Sequence, residues 1–143
     1  MTHLIDVREL SLEFDVRGMR VPVLDKVSFR IRPGSTVALV GESGSGKSVT
    51  AQAMMGILPH NGHITGGEIL LSDPKGTDAP VDIAQFDRDG PGFRAIRGRR
   101  ISMIFQEPML SLSPVHTVGD QVSEALFLHH PVDKDEGVPP TAE

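Results

Sequence analysis

Eight consecutive residues, Gly41-Glu42-Ser43-Gly44-Ser45-Gly46-Lys47-Ser48, have the types and spacing that hold a chain of phosphates. Gly41, Gly44 and Gly46 let the backbone curl with φ > 0 and approach an anion closely. Successive N–H groups then turn inward as a nest, with the positive end of a helix behind them. Lys47 brings a compact positive charge to the outer phosphates. The Ser48 hydroxyl is the natural ligand for a Mg²⁺ ion bridging those phosphates. The chemistry implied is the binding of a nucleoside triphosphate.

Such a loop needs a strand before it and a helix after it. Thr36 to Val40 is an apolar, β-branched-rich run expected as a buried strand. Behind the loop, Val49, Ala53 and Ile57 recur at helical spacing with Met54 and Leu58 alongside, and Pro59 is the expected stop. Upstream, Leu4 to Phe14 reads as a strand carrying Leu10, Leu12 and Phe14. Arg17-Gly18 reads as a turn, and Val21 to Leu24 as a short strand kept at an edge by Pro22. Val27, Phe29 and Ile31 alternate with polar residues as a third, half-buried strand. An antiparallel sheet therefore precedes the phosphate loop, unlike a Rossmann-type start.

Downstream, His60 to Gly67 is expected as a glycine-broken loop and Glu68 to Ser72 as a strand. Asp73 to Pro91 reads as surface loop with order at Val81 to Phe86, and Phe93 to Arg97 as a helical turn. Arg99 to Phe105 is expected as a strand and Gln106 to His116 as a loop. Thr117 should cap a helix, with Asp120 closing a variant capping box. Its apolar stripe is Val118, Val122, Ala125, Leu126 and His129. Residues 131–143 are acidic, proline-rich and aperiodic, and are expected to be disordered.

Composition narrows the function. The 143 residues carry a formal charge of −5 and no cysteine. A nucleic-acid-binding surface, a disulfide framework and a cysteine zinc site are disfavoured or excluded. The six histidines show no metal-ligand spacing with carboxylates. No uncharged apolar run approaches the ~20 residues of a membrane span, and the first residues lack the pattern of a signal peptide.

Two stretches together carry a family resemblance. Residues 41–50, with Val49-Thr50 after the loop, and Ile104-Phe105-Gln106-Glu107-Pro108-Met109-Leu110-Ser111-Leu112-Ser113-Pro114 resemble the phosphate loop and Q-loop of ATP-binding cassette (ABC) transporter ATPases. The second stretch, with Arg97-Gly98-Arg99-Arg100-Ile101 before it, looks like the oligopeptide, dipeptide and nickel importer subgroup. The resemblance implies an α/β P-loop NTPase of ABC ATPase type, an antiparallel β subdomain joined to a P-loop core sheet. Residues 1–105 would form the core and 106–130 the Q-loop and the start of a helical subdomain.

Its implied site is ATP with Mg²⁺. Residues Gly41, Glu42, Ser43, Gly44, Ser45, Gly46, Lys47 and Ser48 would take the phosphates. The Val49 and Thr50 backbone would extend the nest toward the α-phosphate, with Val49 standing where many members have threonine. Ser48 and Gln106 would meet Mg²⁺, and Lys47 and Gln106 would act in catalysis. Phe14 falls where the family places an aromatic against adenine, while its alternating strand fits a core residue equally. Implied partners are a second ABC ATPase subunit, integral-membrane permease subunits reached through the Q-loop, and indirectly an extracytoplasmic solute-binding protein. The implied location is the cytoplasmic face of the membrane.

The family also uses a serine-glycine-glycine signature, a strand ending in Asp-Glu and a later histidine. These are missing here; Ile69 to Asp73 is interrupted by Ser72 and followed by no glutamate. The resemblance thus implies the N-terminal half of such a domain, cut inside its helical subdomain, and leaves its own turnover of ATP open. A P-loop kinase or GTPase and a non-catalytic ATP-binding or interaction fragment are the alternatives.

Overall fold

The computed structural model describes residues 3–73, 79–106 and 112–129. The chain divides into two units, residues 1–95 and 96–143. The first unit is built on a four-stranded sheet of order β2-β1-β3-β4, antiparallel throughout. Its strands are β1 (Ile5–Val16), β2 (Met19–Ile31), β3 (Gly62–Leu71) and β4 (Val81–Asp82). Helix α1 (Lys47–Met55) follows the glycine-rich loop. A single 3₁₀ turn (Ile83–Gln85) follows β4, and α2 (Pro91–Ile96) runs up to the junction between the units.

The β1–β2 hairpin turns at Arg17-Gly18, both at positive φ (53° and 79°), as a two-residue hairpin turn requires. The Asp15 carboxylate accepts the Gly18 N–H at 3.0 Å and helps hold an arginine in that conformation. Val7, Leu10 and Leu12 are all buried, although the step from 7 to 10 breaks strand alternation. Bulges resolve the conflict. Arg8 and Glu9 together face one residue of β2, and Glu9 sits at φ 46°. The Glu9 N–H donates to Ser28 Oγ at 2.8 Å, and the Lys26 N–H to Ser11 Oγ at 3.1 Å. Cross-strand serines thus satisfy donors that the bulges withdraw from the ladder.

Five sequence expectations change here. The two short strands at 21–24 and 27–31 are one continuous β2, because a bulge around Asp25 and Lys26 absorbs the break. Pro22 does lie on an edge strand. The expected loop at 60–67 is mostly strand β3, paired with β1 through its glycines. Gly67 (φ +87°) lies where β1 bulges toward it, and a Cβ there would sit 2.5 Å from the Arg8 carbonyl oxygen. Those glycines mark close backbone approach rather than a loop. Helix α1 stops at Gly56 (φ 62°), before Pro59. Gly56 N–H donates to the Ala53 carbonyl and Ile57 N–H to the Gln52 carbonyl, a Schellman ending.

The fourth change concerns the strand expected before the loop. Residues 36–40 join no ladder among the described residues, and Val40 is 89% exposed. Apolar, β-branched composition marks a segment suited to a sheet, but a strand exists only where a neighbour accepts its N–H and C=O groups. The run at 99–105 behaves alike. It has one isolated bridge, Arg97 to Ile101, and Ile104 is 94% exposed.

The core of the first unit gathers Val7, Leu10, Leu12, Ile69 and Ile83, all almost fully buried. Ile83 confirms the expected order near 81–86, and Phe86 meets Phe93 edge-on at 5.7 Å. In the second unit, α3 (Val118–His129) begins as its sequence implies. The Asp120 N–H donates to Thr117 Oγ1 at 3.1 Å, and that hydroxyl donates to Asp120 Oδ2 at 2.6 Å. Its apolar stripe is not a core face where the side chains are described. Val118 and Val122 are exposed. The block at 107–111 and the tail at 131–143 lie outside the described residues.

Asp6 ties both arms of the hairpin. It accepts Arg8 Nε at 3.0 Å and Arg30 Nε at 3.0 Å. Burial pushes its carboxyl up, but hydrogen bonds from Arg8 and Arg30, and then their charges, outweigh it and hold it below the usual carboxylate value. A lowered folded value means stability present above the unfolded value, about pH 4, and lost as pH falls through the folded one. Asp6→Asn should cost about 1–2 kcal/mol at pH 7, the low end because both arginines are half exposed. It should also flatten the acid limb of a plot of urea midpoint against pH. Gly67→Ala should cost about 2–4 kcal/mol in the same urea titration, from positive φ and the carbonyl overlap together.

Candidate functional site

The loop at 41–48 leads directly into α1, and its shape is set from both sides. Gly44 (φ +81°) and Gly46 (φ +88°) take the left-handed conformation. Gly41 does not, which corrects the expectation that all three glycines curl the loop through positive φ. Gly41 serves by lacking a side chain, since a Cβ there would lie 2.5 Å from Ser45 Oγ. Gly46 is buried, and a Cβ on it would lie 2.6 Å from Leu24 Cδ2 of β2. The antiparallel sheet therefore seats the start of the helix.

Gly46 is the N-cap of α1 and brings no side-chain cap, and the first turn carries no acidic residue. The first helical hydrogen bond runs from Thr50 N–H to the Gly46 carbonyl at 2.9 Å. The N–H groups of Lys47, Ser48 and Val49 precede it and remain available at the positive end of the helix. Thr50 is buried, and its hydroxyl also donates to the Gly46 carbonyl at 2.9 Å. Its N–H and side chain therefore both serve the loop's fold.

Lys47 folds back across the loop. Its Nζ donates to the carbonyls of Gly41 (2.8 Å) and Glu42 (2.5 Å) and to Ser45 Oγ (3.1 Å). This holds the ammonium at the loop mouth, with Glu42, Ser43, Gly44 and Ser45 exposed around it. The Ser48 hydroxyl is exposed and makes no hydrogen bond among the described residues, so it is available as an oxygen ligand. Open N–H groups, a held ammonium, a free hydroxyl and a wall kept clear of Cβ atoms suit a polyphosphate with a hard divalent cation.

Phe14 and Gln106 are the other expected site residues. Phe14 is half buried in β1, paired with Val21 and Gly62, its ring 2.9 Å from where a Gly62 Cβ would be. That is the sheet position its alternation implies. Gln106 is exposed in the second unit. No cluster of three or more metal-ligating side chains occurs among the described residues, and no helix there is long and apolar enough to cross a membrane. Sequence reasoning missed two contributors, the Ser45 hydroxyl as a Lys47 acceptor and Leu24 as the seat of Gly46. The motif signals neither, since both depend on contacts that its spacing does not encode.

Residues 24–138 match the family model described as ABC transporter. The chain is 42% identical over 137 residues to the oligopeptide transport ATP-binding protein AppD of Bacillus subtilis, covering 95% of this chain and 39% of that protein. It is 40% identical over 136 residues to the oligopeptide transport ATP-binding protein OppD of the same organism (94% and 36%). With the peptidoglycan transport ATP-binding protein YejF of Agrobacterium fabrum, identity is 43% over 129 residues (90% and 22%). The chain spans at most about two fifths of the length of these relatives.

Proposed function

The chain belongs to the ABC transporter family, and on that premise we propose that it binds Mg·ATP at residues 41–48 as part of the ATP-binding subunit of a peptide-type importer. The observation that carries this reading is the Lys47 ammonium held over the uncapped start of α1 by the Gly41 and Glu42 carbonyls. The charge is thereby already placed where phosphate oxygens arrive. The likeness to AppD and OppD, both oligopeptide transport ATP-binding proteins, supports the solute class.

In this reading the N–H groups of Lys47, Ser48 and Val49 bind the inner phosphates and orient the nucleotide. Lys47 Nζ pairs with the outer phosphates, and the Ser48 hydroxyl ligates the cation. Ser48 would hold a magnesium ion, which would supply positive charge to offset that of the phosphates. Gln106 is proposed as the residue that senses the cation and lies toward a permease subunit. The Phe14 ring is proposed as an adenine contact, with its place over Gly62 serving the sheet as well. A second ATPase subunit, permease subunits and, indirectly, an extracytoplasmic solute-binding protein complete the proposed assembly at the cytoplasmic face of the membrane.

Hydrolysis needs a positioned carboxylate to activate water. Within the loop only Glu42 bears one, and it is exposed. For this chain the proposed activity is nucleotide binding. Lys47→Ala should weaken Mg·ATP at least tenfold by calorimetry, about 1.4 kcal/mol or more. Unchanged affinity would remove the loop from the binding site.

A further inference from the structure

We propose that the Ser45 hydroxyl is a displaceable latch on Lys47, holding the ammonium in the empty loop and yielding its place to a phosphate oxygen. The proposal rests on the nucleotide-binding reading above. An ammonium has three protons to donate, and in this loop all three are committed. The acceptors are the carbonyls of Gly41 and Glu42 and Ser45 Oγ. An arriving phosphate must displace one of them.

Geometry singles out Ser45. Its contact is the longest of the three, at 3.1 Å against 2.8 and 2.5 Å. The two carbonyls belong to the backbone that shapes the loop, whereas Ser45 Oγ turns about a single side-chain bond. Ser45 is exposed and, among the described residues, its hydroxyl makes no hydrogen bond besides the one with Lys47. It leaves without stranding another group, and once rotated its own proton is free to donate to the phosphate that replaces it. The space it occupies exists because residue 41 is glycine, where a Cβ would lie 2.5 Å from Ser45 Oγ. Ser45 is thus a positioning residue that sets how readily the loop opens to its ligand.

The test uses the full 143-residue chain and its Ser45→Ala and Ser45→Thr variants. Acylation of Lys47 by acetic anhydride in the absence of nucleotide, followed by mass spectrometry, reports how firmly the ammonium is held. Stopped-flow association of a fluorescent ribose-labelled ATP analogue with Mg²⁺ reports the exchange. Ser45→Ala should raise both rates about two- to tenfold, the worth of one ordinary hydrogen bond. Ser45→Thr, which keeps the hydroxyl, should restore both to the parent values. An unchanged acylation rate, or association by Ser45→Ala no faster than the parent, overturns the latch. If no chain binds the analogue, the nucleotide reading fails and takes the exchange with it. The acylation series then still decides separately whether Ser45 holds Lys47.

Discussion

The contact between Gly46 and Leu24 is the constraint on which the rest of the site depends. Gly46 is buried against β2 at positive φ, with no room for a Cβ beside Leu24 Cδ2. Its carbonyl accepts both the N–H and the hydroxyl of Thr50. The first turn of α1 is thereby held at one point on the sheet. The loop before it must cover the distance from residue 41 to that point, and the helix leaves its open N–H groups facing the space the loop encloses. A phosphate cradle made of backbone is only as well placed as the element that anchors it.

That anchor depends in turn on an antiparallel sheet with three irregularities in one hairpin. Leu12 faces Leu24 across β1 and β2, and Leu24 is what Gly46 meets. The bulge at Arg8 and Glu9 lets Val7, Leu10 and Leu12 share the interior, and Gly67 lets β3 come close to the same bulge. Asp6, with Arg8 and Arg30, fastens the far end of the hairpin. A polar cluster, a serine pair at the bulges and a glycine at the crossing point are therefore remote from the loop, yet they keep its seat in register.

Electrostatics at the loop follow from what surrounds Lys47. Its three acceptors are neutral oxygens, and the first turn of α1 carries no carboxylate. The ammonium is oriented without being neutralised, and its charge remains for an anionic ligand. This is the physical link between the motif and the family's chemistry, and it lies within the first unit alone.

The motif at 41–48 and the block from Ile104 were enough to name the family, because phosphate binding restricts residue types at fixed spacing in a contiguous stretch. Local capping was equally legible, since Thr117 and Asp120 lie three apart and interact through their own helix turn. So was the Arg17-Gly18 turn. Pairing was less so. The glycines at 62, 66 and 67 read as a loop, and only β1 arriving from far away in sequence makes them strand residues. The apolar runs at 36–40 and 99–105 read as strands, yet among the described residues neither joins a ladder, the second making only the isolated bridge at Ile101. The sequence by itself determined the chemistry of the loop and the local turns and caps, where the interacting groups are near neighbours along the chain. Tertiary structure decided which segments are strands, why Gly41 and Gly46 differ in role, and that Ser45 and Leu24 serve the site, because each of those rests on atoms brought together through space.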